Sequence, residues 1–585
     1  MRFSSFLIVS LCVAVAASSA HAATPRKASP ALERALWAAP ASRPVAAWVF
    51  FADKGDAPAL FTVESRLTPK ARERRERNRG TGNLVGPHDI PVSARYVDAI
   101  RNRGADIRHI SRWLNAVSVN ADAATLARIA ELGYVQRMDV VRASREPMPQ
   151  PVALPAPSKA QGPQSAYTLD YGTSLTQNLL INVPALHDAG LSGNGVLVAM
   201  FDSGFNNLTH NALIGIDVQV TRDFVNGDSV VSNEVGQMGN GNHGTYTLST
   251  IAGYAPGQLI GPAFGATYIL CKTENTEWER YVEEDAWVAA AEWVDSLGAD
   301  IISSSLSYLD GYTHSELGYT WEDMDGNTTI VTIGADIAAS NGILVVNSAG
   351  NGGFVSLPEN TLGGPADGDD VLAVGAVDGT GVRSNFSSVG PTSDGRIKPD
   401  VMAMGSLVKV ASTLDAGSYF GNSGTSFSCP LTAGVCALLL EARPNASNTL
   451  IMSAIRQTAS QSGAPDRLMG WGIVNAAAAA DVIPTGVGDA PLAVRTILHP
   501  AHPNPFNPTT TIDYEIAARA NVDLTVYDVR GARVANLVNE TQDAGRHRYT
   551  WNARDARGGT LASGVYFYRL TVGGVAYSRK MVLLK

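Results

Sequence analysis

Gly421–Pro430 reads GNSGTSFSCP, and this stretch decides the fold. The glycines at 421 and 424 let the backbone turn tightly and approach another molecule without a Cβ in the way. Pro430 lacks an N–H and is predicted in a first helical turn, where that group would have no intrahelical partner anyway. The following run Thr432–Leu440, TAGVCALLL, has the apolar content of a helix buried on most sides. Ser426 then stands at the positive end of a helix dipole, where negative charge on an attacked carbonyl oxygen is favoured. A hydroxyl so placed is suited to forming an acyl-enzyme.

Around this stretch, strand-like apolar runs alternate with helical patterns from 168 to 483. The predicted strands are Val196–Phe201, Thr267–Lys272, Asp300–Ser305, Ile343–Asn347 and Val371–Val377, mostly continuous apolar runs as in a parallel sheet covered on both faces. Glu283–Leu297 reads as an amphipathic helix with Trp287, Ala290, Ala291, Val294 and Leu297 on one face and Gly298 ending it. The expected fold class is α/β, a doubly wound and mostly parallel sheet whose sites lie at the carboxyl ends of its strands.

Flanking regions differ in character. Residues 1–22 read as a signal peptide, with Arg2, the apolar core Phe6–Ala17 and the small-x-small site Ala20-His21-Ala22; Cys12 is set aside as a lipid anchor. The apolar stretch is too short to span a bilayer. Residues 24–146 read as a small α+β unit: strands at Val45–Phe51, Arg112–Asn120 and Val135–Val141, and a helix from Asp122 to Gly133. Residues 147–167 are a Pro-rich, extended linker open to proteolysis. Residues 484–585 read as a small β-sandwich, with strands at Thr510–Ile516, Val522–Val529, His547–Asn552, Gly564–Val572 and Val575–Leu584.

Charge is uneven. Residues 24–150 hold 21 Lys and Arg against 13 Asp and Glu, while 151–585 hold 23 against 41. A basic front on an acidic remainder favours intramolecular docking. Nucleic acid is not an expected partner, because the basic run Lys70–Arg79 is interrupted by Glu73 and Glu76 and reads as a solvated helix with i,i+3 pairs. After removal of the leader three cysteines remain; Cys429 and Cys436, seven apart on one helix, would lie roughly 10 Å apart and cannot pair. Buried free thiols are expected, Cys271 included.

Two further motifs complete a reaction centre. VLVAMFDSG ends a buried strand at Asp202, and a buried carboxylate there needs hydrogen bonds such as a histidine supplies. NHGTYTLSTIAG places His243 beside Gly244 at a helix start. Singly these would be a turn aspartate and a helix-start residue. In the order Asp, His, Ser, and with GPAFGATYILCKT, VVNSAGNGG, VLAVGAVDGTGVRSNFSSVGP and KPDVMAMG between and before them, the chain resembles the subtilisin-like serine proteases over roughly 168–483.

The resemblance implies that Asp202 orients the imidazole, His243 is general base and then acid, and Ser426 is the nucleophile, with Asn351 and the Ser426 N–H binding the oxyanion. It implies that Ser305, Leu306 and Ser307 pair with an extended substrate, so that protein or peptide substrates are the partners. Departures fall at Tyr246, at Phe427, Ser428 and Cys429, and at Ser307-Tyr308, where Tyr308 is expected to narrow the cleft or fill a subsite. No cofactor is required for the chemistry and no metal site is assigned. The family admits structural calcium, but Glu322–Asn327 (EDMDGN) reads as a surface turn, and His499 and His502 lack a ligand set.

Residues 24–146 resemble the family's propeptide, an intramolecular chaperone and inhibitor, with cleavage between about Val141 and Ala166. The tail, with HPNPFNPTTTIDYEI, LTVYDVRGARVANL and ASGVYFYRLTVGG, resembles Ig-like sorting modules related to a flagellar hook-capping domain. It implies type IX secretion, with outer-membrane secretion machinery as a partner and a secreted or cell-surface location. The expected function is a secreted serine endopeptidase activated by propeptide removal. Its rivals are a catalytically silent adhesion or peptide-binding protein on the same fold, and an esterase, whose usual GxSxG elbow is absent.

Overall fold

The computed structural model describes residues 27–142, 167–275, 284–309, 318–484 and 496–584, apart from positions 41, 57, 59, 83, 240, 499, 500, 502, 503, 517, 518, 543 and 544. The leader at 1–22 with Cys12, nearly all of the 147–167 linker, and His499 and His502 lie outside the described residues.

Three cores follow one another along the chain. In the first, strands β1 (Val45–Phe51), β2 (Asp106–Ser111), β3 (Ala116–Ala121) and β4 (Val135–Val140) form an antiparallel sheet in the order β2-β3-β1-β4. The helix Ala123–Ala130 begins where Asp122 accepts a hydrogen bond from the Thr125 N–H, as the sequence suggested. Strand β2 was not foreseen, since DIRHIS carries too many polar residues to stand out as a strand.

The second core is a seven-stranded, all-parallel sheet. Its strands are β5 (Leu197–Asp202), β6 (Asp217–Asp223), β7 (Thr267–Lys272), β8 (Ile301–Ser304), β9 (Leu344–Ser348), β10 (Val371–Val377) and β11 (Val401–Met404), in the order β11-β10-β9-β8-β5-β7-β6. The predicted doubly wound sheet is therefore present. Two strands were missed: β6 is polar because it is an edge, and β11 is only four residues long. Along β5 the side chains alternate between two clusters, Val198 and Met200 to one face and Leu197, Ala199 and Phe201 to the other. Helices α2 (Asn242–Ala252) and α5 (Thr425–Ala442) cover the first face; α3 (Glu284–Leu297) and α4 (Ile330–Ser340) cover the second. Cys271, Cys429 and Cys436 are buried free thiols, and burial pushes Cys429 up to about 12.

The third core packs a three-stranded against a four-stranded antiparallel sheet between Ile497 and Leu583. Besides the foreseen strands it contains Arg533–Gln542, and Arg579 pairs with Asp369 of the parallel-sheet unit.

The first unit docks on α3 and α4. Trp48, Phe50, Trp113 and Val141 share one apolar cluster with Trp287, Val294 and Ile337. A helix does form at α1 (Pro69–Arg79), but it is not solvated. Arg74 and Arg75 are buried: Arg74 donates to Asp295 Oδ1 (2.5 Å) and to the Ala299 carbonyl (2.7 Å), and Arg75 to Asp295 Oδ2 (2.7 Å) and Asp89 Oδ1 (2.7 Å). Arg112 reaches the same Asp295 oxygen at 3.1 Å, and Arg77 and Lys70 clamp Asp300 at 3.0 and 2.9 Å. The sequence pattern misled because the acids that neutralise these cations lie off α1, Asp295 and Asp300 across the interface and Asp89 elsewhere in the first unit. Buried guanidinium groups persist only with such paired, hydrogen-bonded carboxylates.

Two acids at the start of α3 respond oppositely to burial under this unit. For Asp285 burial works upward, but the Arg108 guanidinium (2.8 Å) and hydrogen bonds outweigh it, leaving the carboxyl at about 2. Glu284 accepts from the Arg142 N–H (3.0 Å), Trp48 Nε1 (3.3 Å) and the Tyr319 hydroxyl (2.7 Å), yet burial dominates and raises it to about 7. In the unfolded chain it titrates near 4.5. Its stabilising contribution is thus complete below pH about 4.5 and is lost as pH rises through about 7, a change of about 3 kcal/mol. Glu284→Gln is expected to flatten this slope when precursor unfolding in urea is compared at about pH 5 and about pH 7.5.

Candidate active site

Chain segments leave the carboxyl ends of β5, β8 and β9 as neighbours, and Asp202, Ser305–Ser307 and Asn351 lie at those ends, while His243 and Ser426 lie on α2 and α5. Asp202 is the last residue of β5 and is fully buried. Its Oδ1 accepts from His243 Nδ1 (2.7 Å) and the Ser203 N–H (2.7 Å), and its Oδ2 from Thr247 Oγ1 (2.8 Å). An ionised carboxylate only accepts, so the His243 proton is assigned to Nδ1 and Nε2 is the basic nitrogen of the neutral ring. Thr247 was not foreseen as a second partner. It stands four residues after His243 on α2, and the i,i+4 spacing on one helix face is the signal that could have found it.

Gly244 makes this approach possible. A Cβ there would sit 2.3 Å from the Gly204 carbonyl oxygen and 3.0 Å from the Asp202 Cβ, so only glycine lets α2 start against the end of β5.

Ser426 is the second residue of α5, buried, and α5 packs on α2 with the Phe427 ring 6.0 Å from the His243 ring. The Ser426 hydroxyl donates a long bond (3.5 Å) to the Ser305 carbonyl. Pro430 is not in the first turn as expected; α5 begins at Thr425, which puts Pro430 sixth, in the second turn. There its missing N–H orphans the carbonyl four residues back, which is that of Ser426. Ser305 Oγ donates to that carbonyl at 2.9 Å and replaces the lost bond. Ser305→Ala is expected to destabilise by about 1–3 kcal/mol, the cost of a buried unsatisfied carbonyl. The loss should shrink in a Pro430→Ala background, where the helix regains its own donor; urea unfolding of the four proteins measures both.

Asn351 follows β9. Its Oδ1 accepts from the Thr425 N–H (2.9 Å) and Thr425 Oγ1 (3.1 Å), so the first residue of α5 fixes which way the carboxamide faces. Ser305 is buried, and Leu306 and Ser307 are half-buried. The Leu306 carbonyl is already engaged, accepting from Asn347 Nδ2 (2.9 Å) and Ser348 Oγ (3.3 Å). Tyr308 does not stand in the groove as expected. Its ring is buried in the cluster shared with Trp48 and Phe50, its hydroxyl donates to Glu274, and its backbone pairs with Gly364.

In the turn Glu322–Asn327, Asp323 accepts from the Thr320 N–H and Asp325 from the N–H groups of Asn327 and Thr328. These carboxylates cap backbone, and among the described residues no group of three or more His, Cys, Asp or Glu side chains is arranged to hold a metal ion.

Comparison with known proteins agrees with this architecture. Residues 193–472 match the subtilase family, 46–153 the peptidase S8 propeptide domain of Bacteroidota, and 507–574 the FlgD Ig-like domain. Subtilisin NAT of Bacillus subtilis subsp. natto is 30% identical over 395 residues, covering 66% of this chain and 86% of that protein. Subtilisin of Bacillus pumilus is 33% identical over 319 residues, covering 54% of this chain and 100% of that protein. Among solved structures, an epidermin leader peptide processing serine protease from Staphylococcus aureus aligns with a TM-score of 0.51 at 14% identity, covering 76% of this chain and 100% of that one, a likeness of fold.

Proposed function

This chain belongs to the subtilase family of serine proteases and carries its own propeptide, and on that premise we propose that Asp202, His243 and Ser426 hydrolyse peptide bonds through an acyl-enzyme. The observation that carries the assignment is the 2.7 Å bond from His243 Nδ1 to the buried Asp202. It holds the ring in the tautomer whose Nε2 takes a proton. In the proposed sequence Ser426 Oγ attacks the substrate carbonyl as its proton passes to His243 Nε2. The oxyanion formed is met by the Asn351 Nδ2–H and the Ser426 N–H at the positive end of α5. As the tetrahedral adduct collapses, the C–N bond breaks and His243 returns the proton to the leaving amine. Water, deprotonated by the same nitrogen, then attacks the ester and frees Ser426.

Peptide backbone would lie along Ser305–Ser307 in extended form. Leu306 has its carbonyl held internally, so the pairing groups would come from Ser305 and Ser307. The basic propeptide, docked on α3 and α4 by the Arg74, Arg75 and Arg112 cluster, would block the enzyme until chain cleavage between about Val141 and Ala166 releases it. Export by the 1–22 leader, and surface sorting through the FlgD-like module, form part of the same proposal; type IX machinery would be the partner that module engages.

The test is fragmentation of a denatured protein by the matured enzyme, with short-chain esters of matched acyl groups alongside. Cleavage of protein, absent in Ser426→Ala, is expected. Turnover of esters with no attack on peptides would instead favour an esterase, and binding of peptides without turnover of either would favour a silent binding protein.

A further inference from the structure

We propose that Thr247 is a positioning residue of the triad: its hydroxyl, bonded to the second oxygen of Asp202, fixes the plane of that carboxylate and with it the direction of the His243 ring. This rests on the active site proposed above. His243 and Thr247 stand four apart on α2, so their side chains leave one face of the helix. Each holds a different oxygen of the same aspartate, His243 Nδ1 donating to Oδ1 at 2.7 Å and Thr247 Oγ1 to Oδ2 at 2.8 Å. Oδ1 is shared by the ring and the Ser203 N–H, whereas among the described residues no second donor is bonded to Oδ2. One rigid turn of helix thus grips both oxygens, and rotation of the carboxylate about its Cβ–Cγ bond would break the Thr247 bond first.

The Thr247 hydroxyl has a choice of acceptors. The Gly244 carbonyl, three residues back on the same helix, lies 3.1 Å away and is the local partner that a helical threonine ordinarily takes. The carboxylate is nearer and charged, and a single proton goes to the stronger acceptor. Asp202 and Thr247 are both fully buried, so bulk water does not reach Oδ2 to replace a lost hydroxyl. The consequence falls on the ring. Once His243 has taken the Ser426 proton, Asp202 holds a positive imidazole whose Nε2 must deliver that proton to the leaving amine rather than back to the serine. A carboxylate free to turn would let the ring turn with it, at the stage where orientation counts most.

The experiment compares the matured wild type with Thr247→Val, Thr247→Ala and Thr247→Ser in steady-state peptide hydrolysis across pH. Valine keeps the volume and alanine does not, yet both lack the donor; serine keeps the donor without the methyl. Valine and alanine are expected to lower kcat by about 10-fold with KM changed by less than about 2-fold, because the lost bond counts once charge develops on the ring. They should also move the acid limb of the kcat/KM profile to higher pH by about half a unit, since a carboxylate relieved of one donor presents more charge to the ring and favours its protonated form. Serine should keep kcat within about 3-fold of the wild type and leave the limb in place. If valine fails to mature, alanine against serine carries the comparison. A loss that follows volume, with valine like the wild type and serine as poor as alanine, would assign Thr247 to packing and overturn the role. So would valine and alanine variants whose pH profiles match the wild type. Failure of the wild type to cleave any peptide would remove the active-site assignment on which this inference stands.

Discussion

Replacing Ser426 by alanine is expected to lower kcat by about 10⁶-fold, His243→Ala by about the same, and both together by no more than either alone. The magnitude is that of the corresponding changes in subtilisin, a relative of this chain. Non-additivity is the informative part. A hydroxyl and an imidazole that act as one unit lose everything once either is gone, whereas two separate contributions would multiply. Asp202→Ala should cost less, about 10⁴-fold, because a neutral imidazole of the wrong orientation or tautomer still reaches the hydroxyl part of the time. Steady-state peptide hydrolysis by the wild type and the four variants, matured in trans where they fail to process themselves, supplies the comparison. A double variant far below both single ones would break the unit apart.

The second large effect concerns latency. Asp295 takes hydrogen bonds from Arg74, Arg75 and Arg112 in a buried interface, and its loss leaves three guanidinium groups of the propeptide clustered without the carboxylate they share. Removing one partner of such a network costs about 3–5 kcal/mol, so Asp295→Ala should weaken propeptide binding by about 10²- to 10³-fold. Inhibition of the matured enzyme by separately added residues 24–146 measures it. The parallel charge removal at Asp300, which faces the more exposed Lys70 and the more buried Arg77, should cost less, since Lys70 keeps contact with water. Equal inhibition of wild type and Asp295→Ala would mean that the apolar patch around Trp48 and Trp113 holds the propeptide without help from the charges.

What could be read from the chain and what could not divide along physical lines. Strands β5, β7, β8, β9 and β10 announce themselves because a sheet covered on both faces needs unbroken apolar runs, and α5 because a central helix needs the same. The motifs around Asp202, His243 and Ser426 were legible because a tight approach of β5, α2 and α5 demands glycine at fixed offsets, Gly244 among them. Burial of charge was not legible. Arg75 meets an aspartate 220 positions away, and no local pattern distinguishes such an arginine from one in water. The same holds for Pro430, whose second-turn position is tolerated because Ser305, just past the end of β8, bonds the carbonyl it abandons. Ser307 and Tyr308 stood out together as a departure, but the turning of the Tyr308 ring into the core goes with the pairing of its backbone with Gly364, a long-range contact.

The Asp202–His243 bond and the placing of Ser426 at the head of α5 are meaningful only if that hydroxyl is the activated one. Reaction of the matured protein with a fluorophosphonate, followed by mass spectrometry of its peptides, measures this directly. A single adduct on Ser426, formed quickly in the wild type and slowed at least about 10³-fold in His243→Ala, is the predicted result. An adduct at another residue, or labelling of Ser426 at an undiminished rate without His243, would contradict it.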